Sequence, residues 1–147
     1  MLAEELKEYL RTPPVVKKVA TELSYHEGLK AQLYIFGFKH GYYPVLEASP
    51  TEIGTKKISC AFCTKEGQVV IAIELNKYPR KESVIKLRML PGATERIVVA
   101  YGGRKNSYVK AMLRREGELT EEEMKGVTVI RLKLFRPELY GGWKNYR

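Results

Sequence analysis

One acid inside an apolar strand constrains this chain more than any other feature. The stretch Ile58–Leu87, ISCAFCTKEGQVVIAIELNKYPRKESVIKL, predicts a strand over Ile58–Cys63, a turn at Lys65-Glu66-Gly67, a second strand over Val69–Leu75 and a helix beginning near Lys81. A glycine between polar residues marks the turn, and β-branched and aromatic residues mark the strands. Glu74 lies inside the second strand, with Asn76 two residues on and therefore on the same face of the pleat. A carboxylate in a strand that is apolar on both faces is costly to bury unless something charged meets it. Glu74 therefore reads either as lining a site shared with Asn76 or as a strand-end acid paired with a nearby Lys or Arg.

The rest of the composition bounds the class. At 147 residues the chain is read as one domain, 1–147, long enough to bury a core. Its 44% hydrophobic and 29% charged content excludes a disordered chain. No apolar run approaches the roughly 20 residues that cross a bilayer. Met1-Leu2-Ala3-Glu4-Glu5 lacks the basic-then-apolar layout of a secretion signal, so a cytoplasmic location without membrane contact is expected. Cys60 and Cys63 form a CxxC with no second pair, and neither His26 nor His40 stands at zinc-finger spacing from it. Residues three apart in a strand point to opposite faces, so both cysteines read as small buried hydrophobes.

Charge is distributed unevenly. Residues 1–76 hold nine Lys/Arg and nine Glu, whereas residues 77–147 hold seventeen Lys/Arg and eight Glu, which supplies the whole net charge of +9. Such one-sided basic charge is the footprint of a polyanion binder. The competing reading is a generally basic surface of solvated lysines: all seventeen acids are Glu, Asn and Gln together number five, and this composition resembles that of hyperthermophile proteins.

Taken in order, Leu2–Leu10 spaces Leu2, Leu6, Tyr9 and Leu10 as an amphipathic helix, ended by Thr12-Pro13-Pro14. Val15–Lys39 predicts a longer helix, bent near Gly28 or Gly37, with an inward stripe of Val16, Val19, Ala20 and Leu23 that resumes at Ala31, Tyr34 and Phe38. Glu27 falls near the middle of that stripe and Glu22 on its flank. Tyr42–Ala48 predicts a strand with Glu47 near its end, at an edge because of Pro44. After the helix of about Lys81–Leu90, Arg96–Tyr101 gives a fourth strand and Gly102-Gly103-Arg104-Lys105 a basic turn. Ser107 caps a helix over Tyr108–Glu116, and Thr120 with Glu123 fits a capping box. Val127–Leu134 alternates as a last, edge strand, and residues 135–147 form a basic and aromatic tail. The expected fold is α/β, with a mixed central sheet of about five strands flanked by helices. Short connections make the first three strands antiparallel, and helical crossovers make the later ones parallel.

The order of a long helix with an inward Glu, a three-strand meander whose third strand carries an acid, then helix and strand, resembles the core of the PD-(D/E)XK nuclease superfamily, the restriction-endonuclease-like fold. The lines HEGLKAQLYIFGFKHGYYPVLEA, KISCAFCTKEGQVVIAIELNK and KESVIKLRMLPGATERIVVAY carry it, over about Glu22 to Tyr101. The resemblance implies a divalent cation, Mg²⁺ or Mn²⁺, and DNA as substrate. Glu74 matches the motif's Glu, and Glu27, with Glu22 as the alternative, matches the helix acid. The family's Asp falls at Ser59 and its Lys at Asn76, so two of three signature positions depart from the pattern, and the chain contains no Asp with which to mend it. Under the resemblance, Glu74, Glu27, Glu47 and Ser59 hold the ion, Glu74 and Asn76 are catalytic, and Lys86 reaches back to replace the missing cation. Glu82, four residues before Lys86, offers that lysine an ordinary helical ion pair instead.

Two function classes follow. One is a nucleic-acid-binding protein with a nuclease-like fold and no catalysis, in which Arg80, Lys81, Arg88, Arg104, Lys105, Arg114 and Arg115 contact phosphates. The other is a divergent Mg-dependent DNA endonuclease using Glu74 with Glu27 or Glu47. Tyr140, Trp143 and Tyr146 of the tail either stack on bases or pack on the body or on another subunit. A homodimer through the edge strand or the tail is compatible with both. His26 and His40 read as capping or packing residues, and Gly102-Gly103 is too short for a phosphate-cradling loop.

Overall fold

In the computed structural model, residues 2–11, 22–102, 107–117 and 119–132 are described. Residues 15–21 of the expected long helix, Arg104, Lys105, the end of the last strand and the aromatic tail lie outside them, as do the side chains of Glu22 and Ser107.

Five strands form one mixed sheet in the order β1 (Tyr43–Ala48), β2 (Ile58–Cys63), β3 (Val69–Asn76), β4 (Glu95–Ala100) and β5 (Thr128–Arg131). A loop over residues 49–57 with a 3₁₀ turn at Thr51–Ile53 joins β1 to β2, a shorter turn joins β2 to β3, and both pairs are antiparallel. The β3–β4 and β4–β5 pairs are parallel, because a helix intervenes in each connection. Those helices are α3 (Lys81–Arg88), and then α4 (Ser107–Glu116) with α5 (Glu121–Met124); α1 (Leu2–Arg11) and α2 (Glu22–Lys39) precede the sheet. The capping box is present: the Thr120 hydroxyl accepts from the Glu123 N–H, and the Glu123 carboxylate accepts from the Thr120 N–H. That second bond, with Lys81 beside it, holds the Glu123 carboxyl below the ordinary carboxylate range.

Each face of the sheet buries its own core. On one, Leu6 and Leu10 of α1 and Leu29, Leu33 and Phe36 of α2 cover Phe62, Ile71, Ile73 and Val99. On the other, Val84 and Leu87 of α3 cover Ala61, Ala72 and Val98. Strand β3 is thus buried on both sides, which is why it reads as an unbroken apolar run. From Ile71 onward its odd-numbered side chains face α2 and its even-numbered ones, Ala72, Glu74 and Asn76, face α3. Cys60 and Cys63 fall on opposite faces as unpaired, buried thiols. Burial pushes the Cys60 thiol up to about 12. Among the described residues no helix is long and apolar enough to cross a membrane.

Helix α2 corrects the sequence reading. Its buried stripe is Leu29, Leu33 and Phe36, whereas Ala31, Tyr34 and Phe38 are exposed and Glu27 points to solvent. At 100° per residue the two stripes are diametrically opposed. Periodicity could not choose between them because this helix is apolar on both faces. It also runs unbroken through Gly28 and Gly37. Gly37 serves close packing: a Cβ there would lie 2.5 Å from the Phe62 ring. That ring is buried between Phe36 and Tyr42 and has no room to retreat. Gly37→Ala is therefore expected to destabilise the fold by about 1–3 kcal/mol despite a helix-propensity gain near 1 kcal/mol, measured by urea unfolding.

Candidate functional site

The site lies where β2 and β3 part. Their ladder starts at Cys60↔Ile73 and runs away from Ser59 and Glu74, while β2 stays paired to β1 at Ile58 and β3 to β4 as far as Asn76. In this fork side chains take over the ladder's hydrogen bonds. The Ser59 N–H donates to Glu74 Oε1 at 2.9 Å, and the Leu75 N–H donates to Ser59 Oγ at 2.9 Å. The opening lies at the C-terminal end of β3, where the sheet also switches from antiparallel to parallel pairing.

Helix α3 closes the fork. Ser83 Oγ donates to Glu74 Oε2 at 2.9 Å and accepts from Asn76 Nδ2 at 2.8 Å. Lys86 Nζ lies 3.3 Å from the same Oε2 and donates to the Lys57 carbonyl at 2.7 Å. The Glu74 side chain is 7% exposed and that of Lys86 13%. Lys86 thus turns to Glu74, not to Glu82. The structure brings together Glu74, Asn76, Lys86 and Ser59, the residues that the resemblance groups, and adds Ser83, which the sequence reading missed. Its signal was present: Ser83 precedes Lys86 by three residues, so both project from one face of α3 toward the strand.

Glu27 and Glu47 do not join this cluster. They share Lys30 of α2, at 3.5 and 3.1 Å, on the other side of the sheet from α3. Glu47 reaches Lys30 from a left-handed backbone conformation, φ 51°, uncommon for a side chain of its size. Its hydrogen bond, ahead of the charge of Glu27, raises the Lys30 ammonium above the ordinary lysine value.

This chemistry bears on the cation the resemblance implies. Magnesium needs several free oxygen ligands in octahedral array. Both oxygens of Glu74 already accept hydrogen bonds, its charge is met by an ammonium, and among the described residues no three His, Cys or Glu side chains stand close enough to hold a metal. The described residues do not fit a divalent ion. Nor does Ser83 have the access of a nucleophile, being 5% exposed on the sheet-facing side of α3. As arranged, the cluster is a charge-balanced, hydrogen-bonded clamp joining β2, β3 and α3. A cavity of about 480 Å³ lined by Val45, Cys63, Val69 and Leu90 opens elsewhere and includes none of these groups.

The basic residues divide in two. Arg80 pairs with Glu116 of α4, Lys81 lies 3.1 Å from Glu123, and Arg88 donates to the carbonyls of Glu122 and Glu123 at 3.2 and 3.1 Å. These three fasten α3 to α4 and α5. Arg114 and Arg115 are exposed on α4 together with Lys110 and have no ion pair among the described residues. Arg104 and Lys105 lie outside them. His26 Nδ1 meets the Tyr101 hydroxyl at 2.8 Å, and His40 links the Phe36 carbonyl to Glu5, so both histidines hold packing contacts.

Comparison with protein-family models, with curated proteins and with solved structures found no match to this chain.

The clamp makes a quantitative prediction. Removing one partner of a buried ion pair strands the other, so Lys86→Met should cost about 3–5 kcal/mol. The double variant Lys86→Met/Glu74→Gln should recover most of that loss, because no charge is then left buried. Chemical denaturation of the two single variants and the double variant closes the cycle; additive costs would show that Lys86 and Glu74 are not coupled.

Proposed function

We propose that this chain is a nucleic-acid-binding protein, with DNA the expected partner, built on a nuclease-like sheet whose acidic position has become a structural clamp. The observation that carries the binding half is α4. From Ser107 to Arg115 it holds no acid, its exposed Lys110, Arg114 and Arg115 have no ion pair among the described residues, and Glu116 at its end is neutralised by Arg80. Lys110 and Arg114 are four apart and share a helix face, the spacing of neighbouring phosphate contacts along a groove. The excess charge of residues 77–147 is in keeping with this. A cytoplasmic setting belongs to the same proposal, since the partner is met there.

The clamp supports the non-catalytic half. The convergence of Ser59, Glu74, Asn76 and Lys86 is the one arrangement that favours a divergent Mg-dependent endonuclease instead. The separation of Glu27 and Glu47 from Glu74 counts against it.

Binding to labelled DNA, read by fluorescence anisotropy over a salt series, tests the proposal. Affinity should fall steeply with salt. Arg114→Glu/Arg115→Glu should weaken it for all sequences and reduce the log–log salt slope by about 2, since each phosphate that a cation neutralises adds about 0.9 to that slope. Binding that ignores salt, or that the double reversal leaves intact, would contradict it.

A further inference from the structure

One cleft on the α3 side of the sheet has the size and the setting of a small-molecule site. Helix α3 reaches across β2, β3 and β4, which leaves that face of β1 open. Tyr43 and Val45, paired there with Cys63 and Ala61, are 55% and 43% exposed. The cavity of about 480 Å³ at this place lies within the range of roughly 300–1,000 Å³ that ligand pockets occupy. Val45, Cys63 and Val69 of three adjacent strands form its floor, and residues 49–52 and 90–93 border it. Both borders are held in shape. Pro50 and Pro91 each fix a backbone angle, Ser49 Oγ donates to the Lys56 carbonyl at 3.0 Å, and the Ala93 N–H donates to the Leu90 carbonyl at 3.1 Å. The Gln68 side chain has no hydrogen bond among the described residues and lies against Gly92, where a Cβ would stand 3.5 Å from its Nε2.

Charge selects the occupant. None of the described residues lining the cleft is Lys, Arg or His, in a chain where 26 of 147 residues are Lys or Arg. Glu52 is the one charged side chain among them. Its carboxylate accepts from the Thr51 hydroxyl at 3.1 Å and has no ion pair among the described residues. Burial raises the Cys63 thiol above its ordinary value, so it stays a neutral, polarisable part of the floor. A phosphate or carboxylate would find no partner in such a cleft.

We propose that this cleft binds a small organic monocation, a flat aromatic body carrying one ammonium group. The floor side chains are small or β-branched and apolar, a level surface that a ring covers in full contact. The ammonium meets Glu52 in a charge-assisted hydrogen bond, and the Gln68 amide supplies a further polar contact. The inference is independent of the nucleic-acid reading, since no cation of α4 lines the cleft.

Titration of the isotope-labelled full chain, followed amide by amide by NMR, tests it with three naphthalenes alike but for charge: 1-naphthylmethylammonium, 1-naphthalenemethanol and 1-naphthoate. The ammonium should shift the amides of Glu52, Gln68 and Gly92 and saturate at one molecule per chain. The alcohol should shift the same amides with affinity about fivefold weaker, the worth of one exposed ion pair. The carboxylate should leave them in place, although the net charge of +9 draws anions to the surface. Glu52→Gln should bring the ammonium down to the affinity of the alcohol and leave the rest of the spectrum unchanged, because Glu52 is exposed. Absence of shifts at these amides in millimolar ammonium overturns the inference. So does 1-naphthoate binding the cleft as tightly as the ammonium, or a preference for the ammonium that Glu52→Gln leaves intact.

Discussion

The architecture around β3 depends on how one buried carboxylate is compensated. Glu74 sits 7% exposed in a strand covered on both faces, where an unpartnered charge would cost several kcal/mol. Its compensation is drawn from three places in the chain: a backbone N–H of β2, a hydroxyl of α3 and an ammonium of α3. Those donors are available because β2 and β3 part at this point, leaving room for side chains where ladder bonds would otherwise run. Each contact thus has a geometric consequence. The Ser59 bond holds the fork's width, and the Ser83 and Lys86 bonds fix how α3 lies over the sheet. Asn76 and the Lys57 carbonyl complete the accounting by engaging the remaining valences of Ser83 and Lys86.

The same accounting separates structural from available charge. Cations of α3 and its N-cap are used within the fold: Arg80, Lys81 and Arg88 tie the helix to α4 and α5. On α4, by contrast, Arg114 and Arg115 remain exposed with no ion pair among the described residues. Net charge alone could not make that division. It gives the sign of the field, while the position of each acid decides which cations are left to meet a polyanion.

Much of the fold was legible in the sequence. The five strands and α3 begin within a residue of where patterning puts them, because β-branched runs bounded by Gly and Pro leave little choice. Strand direction followed from connection length alone. Glu74 stood out because a charge in a doubly apolar strand must have a partner. Its partners were harder to read: Glu27 was expected inward, but it lies on the solvent face of a helix apolar on both sides, where periodicity has no preferred direction. Ser83 was missed because a buried serine looks like any helical polar residue until the strand beneath it is placed. The helical pairing of Lys86 with Glu82 was a sound local expectation, overridden by a buried charge that gains more from the same ammonium.

The most direct test of the clamp as a structural, non-catalytic device is incubation of labelled single-stranded, duplex and branched DNA with the purified protein in Mn²⁺ and, separately, in EDTA. A structural clamp should give equal binding in both and no cleavage product in either. Metal-dependent cutting that disappears in Glu74→Ala would contradict it, and would make the fork between β2 and β3 an active site.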